Sequence, residues 1–152
     1  MSKKKFFLYS SLLIVIVIAL VGMYIYKEYN RKHEDTAELK TNYTVSAADI
    51  IKDFETAQES AAKKYNDKII MTSGFIKDIL KDDRGFYLIM LGDTTSMSSV
   101  KCSMDSLHNS EAATLQKGTY ATVKGVCAGF NADELLGSDV ILVRCMIDKP
   151  KK

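Results

Sequence analysis

Residues Phe6 to Tyr26, FFLYSSLLIVIVIALVGMYIY, run 21 residues without a charge, and no other feature constrains the chain as much. At about 1.5 Å rise per residue, a helix of that length crosses a hydrocarbon core of roughly 30 Å. The expectation is a transmembrane anchor over residues 6–26, preceded by a basic tail over residues 1–5 that carries Lys3, Lys4 and Lys5. A cleaved signal peptide has an apolar run of only roughly 7–15 residues and a small-x-small cleavage site. Here the run is longer and ends on the bulky GMYIYKEY. Tyr9, Tyr24 and Tyr26 suit the interfacial belts. Ile18 and Tyr26 flank Gly22 at four residues, so no small-xxx-small face marks helix pairing.

Three lysines before the run stand against Lys27, Arg31 and Lys32 after it, so the positive-inside count is balanced. A short tail followed by a large domain is the signal-anchor arrangement, which puts the C-terminal domain on the extracytoplasmic (periplasmic) side of a single-pass membrane protein. All 19 acidic residues and 18 of the 21 basic ones lie after the run, leaving that part with a net charge of −1. A nucleic-acid binder carries a basic excess on its binding domain, and this one does not.

Residues 27–44, KEYNRKHEDTAELKTNYT, are charged and poor in apolar positions, the composition of a solvated stalk. The triplet Asn42-Tyr43-Thr44 matches a glycosylation acceptor, a pattern common by chance. The folded domain is expected over residues 45–148. Ser46 followed three residues later by Asp49 resembles a capping box. Ile50, Ile51, Phe54, Ala57, Ala61 and Tyr65 then recur at helical spacing opposite Lys52, Asp53, Glu55, Glu59, Lys63 and Lys64. This is an amphipathic helix fitted to cover a sheet.

Strands follow. Residues 68–80 form one long β segment, with Gly74 as its interruption. Residues 81–85 form a turn, and 86–92 the returning strand. Residues 100–104 alternate Val100, Cys102 and Met104 against Lys101 and Ser103. Residues 105–116 predict a short helix with Asp105 as N-cap and Leu107, Ala112 and Leu115 as its apolar positions. TYATVKGVC sets Ala121, Val123, Gly125 and Cys127 inward and Tyr120, Thr122 and Lys124 toward water. In the last strand Ile141, Val143, Cys145 and Ile147 are expected inward and Arg144 outward. Five strands in the order β-β-β-α-β-β, with glycine inside a long first strand, predict a mainly β fold with helices. It is a five-stranded OB-fold Greek-key barrel preceded by the amphipathic helix and the transmembrane helix.

The chain also resembles the bacterial tRNA-anticodon-binding-like OB-fold family (tRNA_anti-like). The resemblance lies in SAADIIKDFETAQESAAKKYNDKIIMTSGFIKDI, VKCSM, LQKGTYATVKGVCAGF and DVILVRCMI, covering Ser46 to about Ile147. The Lys-Tyr-x-x-Lys junction and the Gly-x-Cys-x-Gly end of the fourth strand are its more specific elements. The resemblance implies envelope proteins with an N-terminal lipid or helical anchor. It brings no defined functional residues, and the family name records a likeness of fold rather than of ligand.

Catalytic equipment is missing from the sequence: there is no HExxH, GxSxG or GxxxxGK[ST]. The expectation is a non-enzymatic protein with no cofactor and no metal. His33 and His108 have no evident partner. Asp82-Asp83 and the acidic Asp133, Glu134 and Asp139 read as turn residues before they read as a calcium site. Cys102, Cys127 and Cys145 read as buried thiols. In an oxidising compartment Cys102 and Cys145 could pair, since the third and fifth barrel strands are neighbours. Cys127, opposite roughly Val140, is too far along its strand to reach Cys145. A ligand on the usual OB face would meet Tyr87, Ile89, Lys101 and Ser103, with Arg84 and Lys77 nearby. Tyr87 could stack on a ring, and Lys101 and Arg84 could meet phosphate. The function expected is a membrane-anchored binding module for a protein or glycan partner at the envelope. The alternative is single-stranded nucleic-acid binding through the barrel face.

Overall fold

The computed structural model describes residues 3–29, 35–133 and 137–148. Arg31, Lys32, His33 and Glu134 lie outside the described residues. Two units are separate in their contacts, Met1–Glu34 and Asp35–Lys152.

The first unit holds α1 (Lys3–Tyr29), a 27-residue helix with no polar face. Its side chains from Leu13 to Tyr26 are exposed, and a helix apolar all round belongs in a protein core or a bilayer. Among the described residues, no helix is long and apolar enough to cross a membrane. The structure therefore does not return the expected span over residues 6–26, which rests on sequence.

In the second unit β1 (Tyr43–Ser46) leads into α2 (Ala47–Thr56) and α3 (Gln58–Tyr65). Strands β2 (Ile69–Lys81), β3 (Tyr87–Gly92) and β4 (Ser99–Met104) follow. A 3-10 helix (Asn109–Thr114) then precedes β5 (Tyr120–Asn131) and β6 (Asp139–Ile147). The strand order β1-β2-β3-β4-β6-β5, with β5 returning to β2, closes a five-stranded barrel on which β1 is an added parallel strand. Closure depends on the length of β2. Its first half pairs with β5, from Ile69 opposite Val126 to Phe75 opposite Tyr120, and its second half pairs with β3.

Two rings of side chains fill the barrel. One runs through Ile79, Ile89, Cys102, Leu142 and Cys127, and the other through Ile76, Leu91, Val100, Val140 and Phe130. All but the flanking Ile79 and Phe130 are fully buried. Helix α2 touches β1, β2, β3, β4 and β6, so it covers one end of the barrel, burying Ala47, Ile50, Ile51 and Phe54. Phe54 stacks on Phe130 at 4.9 Å. Ser46 caps α2 as expected: its Oγ accepts from the Asp49 amide at 3.1 Å and donates to Asp49 Oδ2 at 2.6 Å.

Several expectations are corrected. The single amphipathic helix is two, broken at Ala57, where φ is −150°. Gly74 is not the bulge in β2. The register slips between Ile76 and Asp78, while Gly74 lets α2 approach, since a Cβ there would lie 3.0 Å from that of Ala47. Asp105 caps a turn, accepting from the Leu107 amide at 2.9 Å. The short helix after it is 3-10, begins after His108 and leaves Leu107 70% exposed. In β6 the register slips around Val143 and Arg144, where Arg144 has φ of 51°. A one-residue slip exchanges the two faces of a strand. Val140 and Leu142 are therefore the fully buried pair instead of Ile141 and Val143, while Cys145 and Ile147 stay inside.

Lys124 does not face water. It is only 7% exposed, and its ammonium donates to the carbonyl oxygens of Ala37, at 3.2 Å, and Leu39. The segment Asp35–Asn42, expected as part of a solvated stalk, is instead bound to the barrel as a strap. Thr36 is 1% exposed, and Asn42 exchanges hydrogen bonds with Ile69 through its amide N–H and its Oδ1.

Candidate ligand-binding site

The residues expected on the OB face separate into four places. Lys101 and Ser103 project from the outer face of β4, opposite Met90 and Leu88 of β3. Ile89 is fully buried and Tyr87 packs against the core, because the register sets Ile89 opposite the buried Cys102 and leaves the outer phase to Leu88 and Met90. Tyr87 is thus on the inner phase, with its amide held by Asn109 Oδ1 at 2.8 Å and Lys81 Nζ 5.2 Å from its ring centre. Lys101 Nζ sits 2.6 Å from Asp139 Oδ2. Arg84 is in the β2–β3 turn, its Nε 3.6 Å from Asp82 Oδ2, and shares a shallow groove with Tyr87, Phe86 and Ser103.

Lys77 occupies the β2 bulge and serves the fold there. Its ammonium donates to the carbonyls of Ser96 (2.6 Å) and Ser98 (2.8 Å) and to Ser99 Oγ (3.1 Å). Burial lowers its pKa, against the opposing pull of Asp139 and Asp93. Of the six expected contact residues only Arg84, Tyr87 and Ser103 are brought together. Both Lys77 and Lys101 already hold partners.

His108 also has partners, contrary to the sequence expectation. Its Nε2 lies 2.9 Å from Asp35 Oδ1 and its Nδ1 3.1 Å from Glu111 Oε1. Burial disfavours charge on the ring, but the two carboxylates outweigh it and raise the His108 pKa. An imidazole with an acceptor on each nitrogen satisfies both only as the cation. This clasp holds the strap against the barrel.

Cys102, Cys127 and Cys145 are buried free thiols. Burial pushes the Cys127 thiol up, and pushes Cys145 well up, with a hydrogen bond to Cys102 adding to the effect. Suppressed thiolate means suppressed nucleophilicity. Cys127 lies opposite Leu142, two residues from the expected Val140. Asp82 spends Oδ1 on the amides of Arg84 and Phe86, at 2.9 and 2.8 Å, as a turn residue does. Among the described residues no group of three or more His, Cys, Asp or Glu side chains is placed to hold a metal ion.

The sequence reading missed a different surface. Phe75 and Tyr120 are cross-strand partners on β2 and β5, 51% and 61% exposed. Their rings meet edge to face, with centroids 5.3 Å apart and planes at 82°. Tyr120 Oη donates to Ser73 Oγ at 3.0 Å, which fixes its ring. The pair borders an open groove of about 330 Å³ whose other walls include Ser46, Ser73, Asp93 and Thr94. The outward setting of Tyr120 was legible from the alternation of β5. Its meeting with Phe75 was not, since it depends on the β2–β5 register across 45 residues of chain.

The barrel has known counterparts. Over 78% of this chain and 100% of the other, it superposes on a "putative nucleic acid-binding lipoprotein" from Klebsiella pneumoniae with a TM-score of 0.54 at 16% identity. The asparaginyl-tRNA synthetase of Pyrococcus horikoshii is matched over 54% of this chain and 19% of that one, with a TM-score of 0.38 and 16% identity. The Stn1-ten1 complex of S. pombe is matched over 54% and 59%, with a TM-score of 0.36 and 16% identity. Identities this low speak to fold alone. No curated protein matches the chain. The tRNA_anti-like family model matches residues 1–147, nearly the whole length, and the chain belongs to the tRNA_anti-like family.

Proposed function

We propose that this protein is a non-catalytic binding module of the bacterial envelope, tethered to a membrane through Phe6–Tyr26, with its barrel on the extracytoplasmic side and its ligand held in the Phe75–Tyr120 groove. The observation that carries the reading is the exposed aromatic pair. The barrel interior is filled by side chains, so a ligand must sit outside it, and aromatic rings left open in a groove are the usual mark of a contact surface. The tether is supported by the 21 uncharged residues and by the apolar circumference of α1. The ligand is a protein or glycan partner.

Two measurements test this. Protease added to intact cells should remove the barrel, and carbonate should leave α1 in the membrane. A protected barrel, or a protein released by carbonate, overturns the topology. Retention of an envelope component by the full chain, abolished by Phe75→Ala, supports the groove. Retention that ignores Phe75→Ala overturns it.

A second reading, single-stranded nucleic acid on the β3–β4 face, draws on the words describing the Klebsiella structure. It would use Tyr87, Lys101, Arg84 and Lys77. Its weakness is electrostatic: the net charge beyond the anchor is −1, and both lysines are engaged. Micromolar, salt-sensitive binding of a labelled oligonucleotide, weakened by Tyr87→Ala, would establish it. Absence of binding at low salt ends it.

A further inference from the structure

We propose that the Phe75–Tyr120 groove takes one uncharged sugar ring of a glycan chain, an inference that rests on the groove being the ligand site. The two rings stand nearly perpendicular, so the groove offers an aromatic face beside an aromatic edge. A pyranose has one face of polarised C–H bonds and a girdle of hydroxyls. The negative face of an aromatic ring attracts the former, and a polar rim answers the latter.

That rim is present. Thr94 supplies a hydroxyl, Ser73 a hydroxyl that accepts from Tyr120 and keeps its own proton to donate, and Asp93 a carboxylate. Asp93 is held in place, because its Oδ1 accepts from the Thr95 amide and hydroxyl, both at 2.8 Å. The Thr95 amide, then its hydroxyl, keeps the Asp93 pKa below the ordinary carboxylate value, so the group stays an acceptor. With Tyr120 fixed on Ser73, little side-chain freedom is lost when a ligand arrives.

Other ligand classes fit less well. A nucleotide could stack on the rings, but no Lys or Arg lines the groove to meet its phosphate, and Asp93 would repel it. Nor does the start of α2 serve as an anion site, since Ser46 and Asp49 already cap it. A globular protein partner needs roughly 800 Å² of its surface covered. A groove of about 330 Å³ lies near the floor of the range for small-molecule sites, and accommodates a compact group.

The test uses the full chain in lipid nanodiscs, because a glycoside detergent would compete. Chitotetraose and cellotetraose serve as glycan probes and a ten-residue oligothymidylate as the anionic one, read by saturation-transfer NMR. At least one glycan is expected to receive saturation on its ring C–H protons. Its affinity should fall at least about tenfold in Phe75→Ala and in Tyr120→Ala, hold in Phe75→Tyr, and stay unchanged between low and high salt. No transfer to either glycan overturns the sugar assignment. If oligothymidylate or a protein then shifts the Phe75 and Tyr120 resonances, the groove survives as the ligand site and only its chemistry was wrong. Glycan binding that persists in both alanine variants overturns the inference together with the groove.

Discussion

The strap and the aromatic groove lie on the same barrel and treat their residues in opposite ways. Under the strap, two cationic side chains are withdrawn from water: Lys124 donates to carbonyls of Ala37 and Leu39, and His108 lies between Asp35 and Glu111. At the groove, two aromatic rings remain more than half exposed. A cation drawn out of water is tolerated only where partners replace it. Here all but Glu111 come from a segment some 70 to 90 residues away in sequence. None of the described segments covers the aromatic pair. Partners within the chain thus finish the first surface, while the second stays open to solvent.

The largest expected effect is on the finished side. A Cβ on Gly125 would lie 2.5 Å from Cys145 Sγ and 3.2 Å from the Val143 carbonyl oxygen. Gly125→Val should therefore cost about 1–3 kcal/mol or more in urea unfolding. A loss under about 0.5 kcal/mol would mean that β5 and β6 do not pack as described.

Next in size is Lys124→Ala, which removes the two hydrogen bonds from its ammonium to the strap. A loss of about 1–2 kcal/mol is expected, together with new proteolytic cleavage between Asp35 and Asn42. An unchanged cleavage pattern would detach Lys124 from the role given to it.

Smaller still is the pH response of the clasp. The His108 pKa is raised, so its contribution is complete below about pH 6.5 and is lost as pH rises through the higher folded value. The Asp35 pKa is lowered, by the Ala37 amide first and by His108 second. Its contribution is present above about pH 3.9 and is lost as pH falls through the lower folded value. The strap should accordingly be held most firmly in mildly acidic solution and loosen by about 1 kcal/mol or less toward alkaline pH. Amide exchange of residues 35–40 between pH 6 and 9, corrected for intrinsic rates, measures this. Equal pH dependence in His108→Gln would assign the effect elsewhere.

Much of the fold was legible because it is local. Alternation in β4 and β5 placed Cys102 and Cys127 inside, and the Ser46–Asp49 spacing located the start of α2. What was not legible is what the chain decides at a distance. Lys124 reads as a solvent-facing residue until the strap returns over it. The inner phase of β3 depended on its register with β4, which set Ile89 opposite the buried Cys102 and left Lys101 opposite Met90 on the outer face. The slip at Arg144 exchanged the faces of β6 because register against β4 and β5 overrides a simple alternation. At the groove, each ring was visible as a residue type, but their meeting required the closed barrel.

The most direct measurement is made on the double variant Phe75→Ser/Tyr120→Ser, comparing ligand retention with the urea midpoint of the full chain. Both residues are exposed, so loss of their edge-to-face contact and of the Tyr120–Ser73 hydrogen bond should cost about 1–2 kcal/mol or less, leaving the chain folded while binding is lost. Retained binding with both rings gone, or binding and stability failing together, would contradict the assignment of this open corner of the barrel to a ligand.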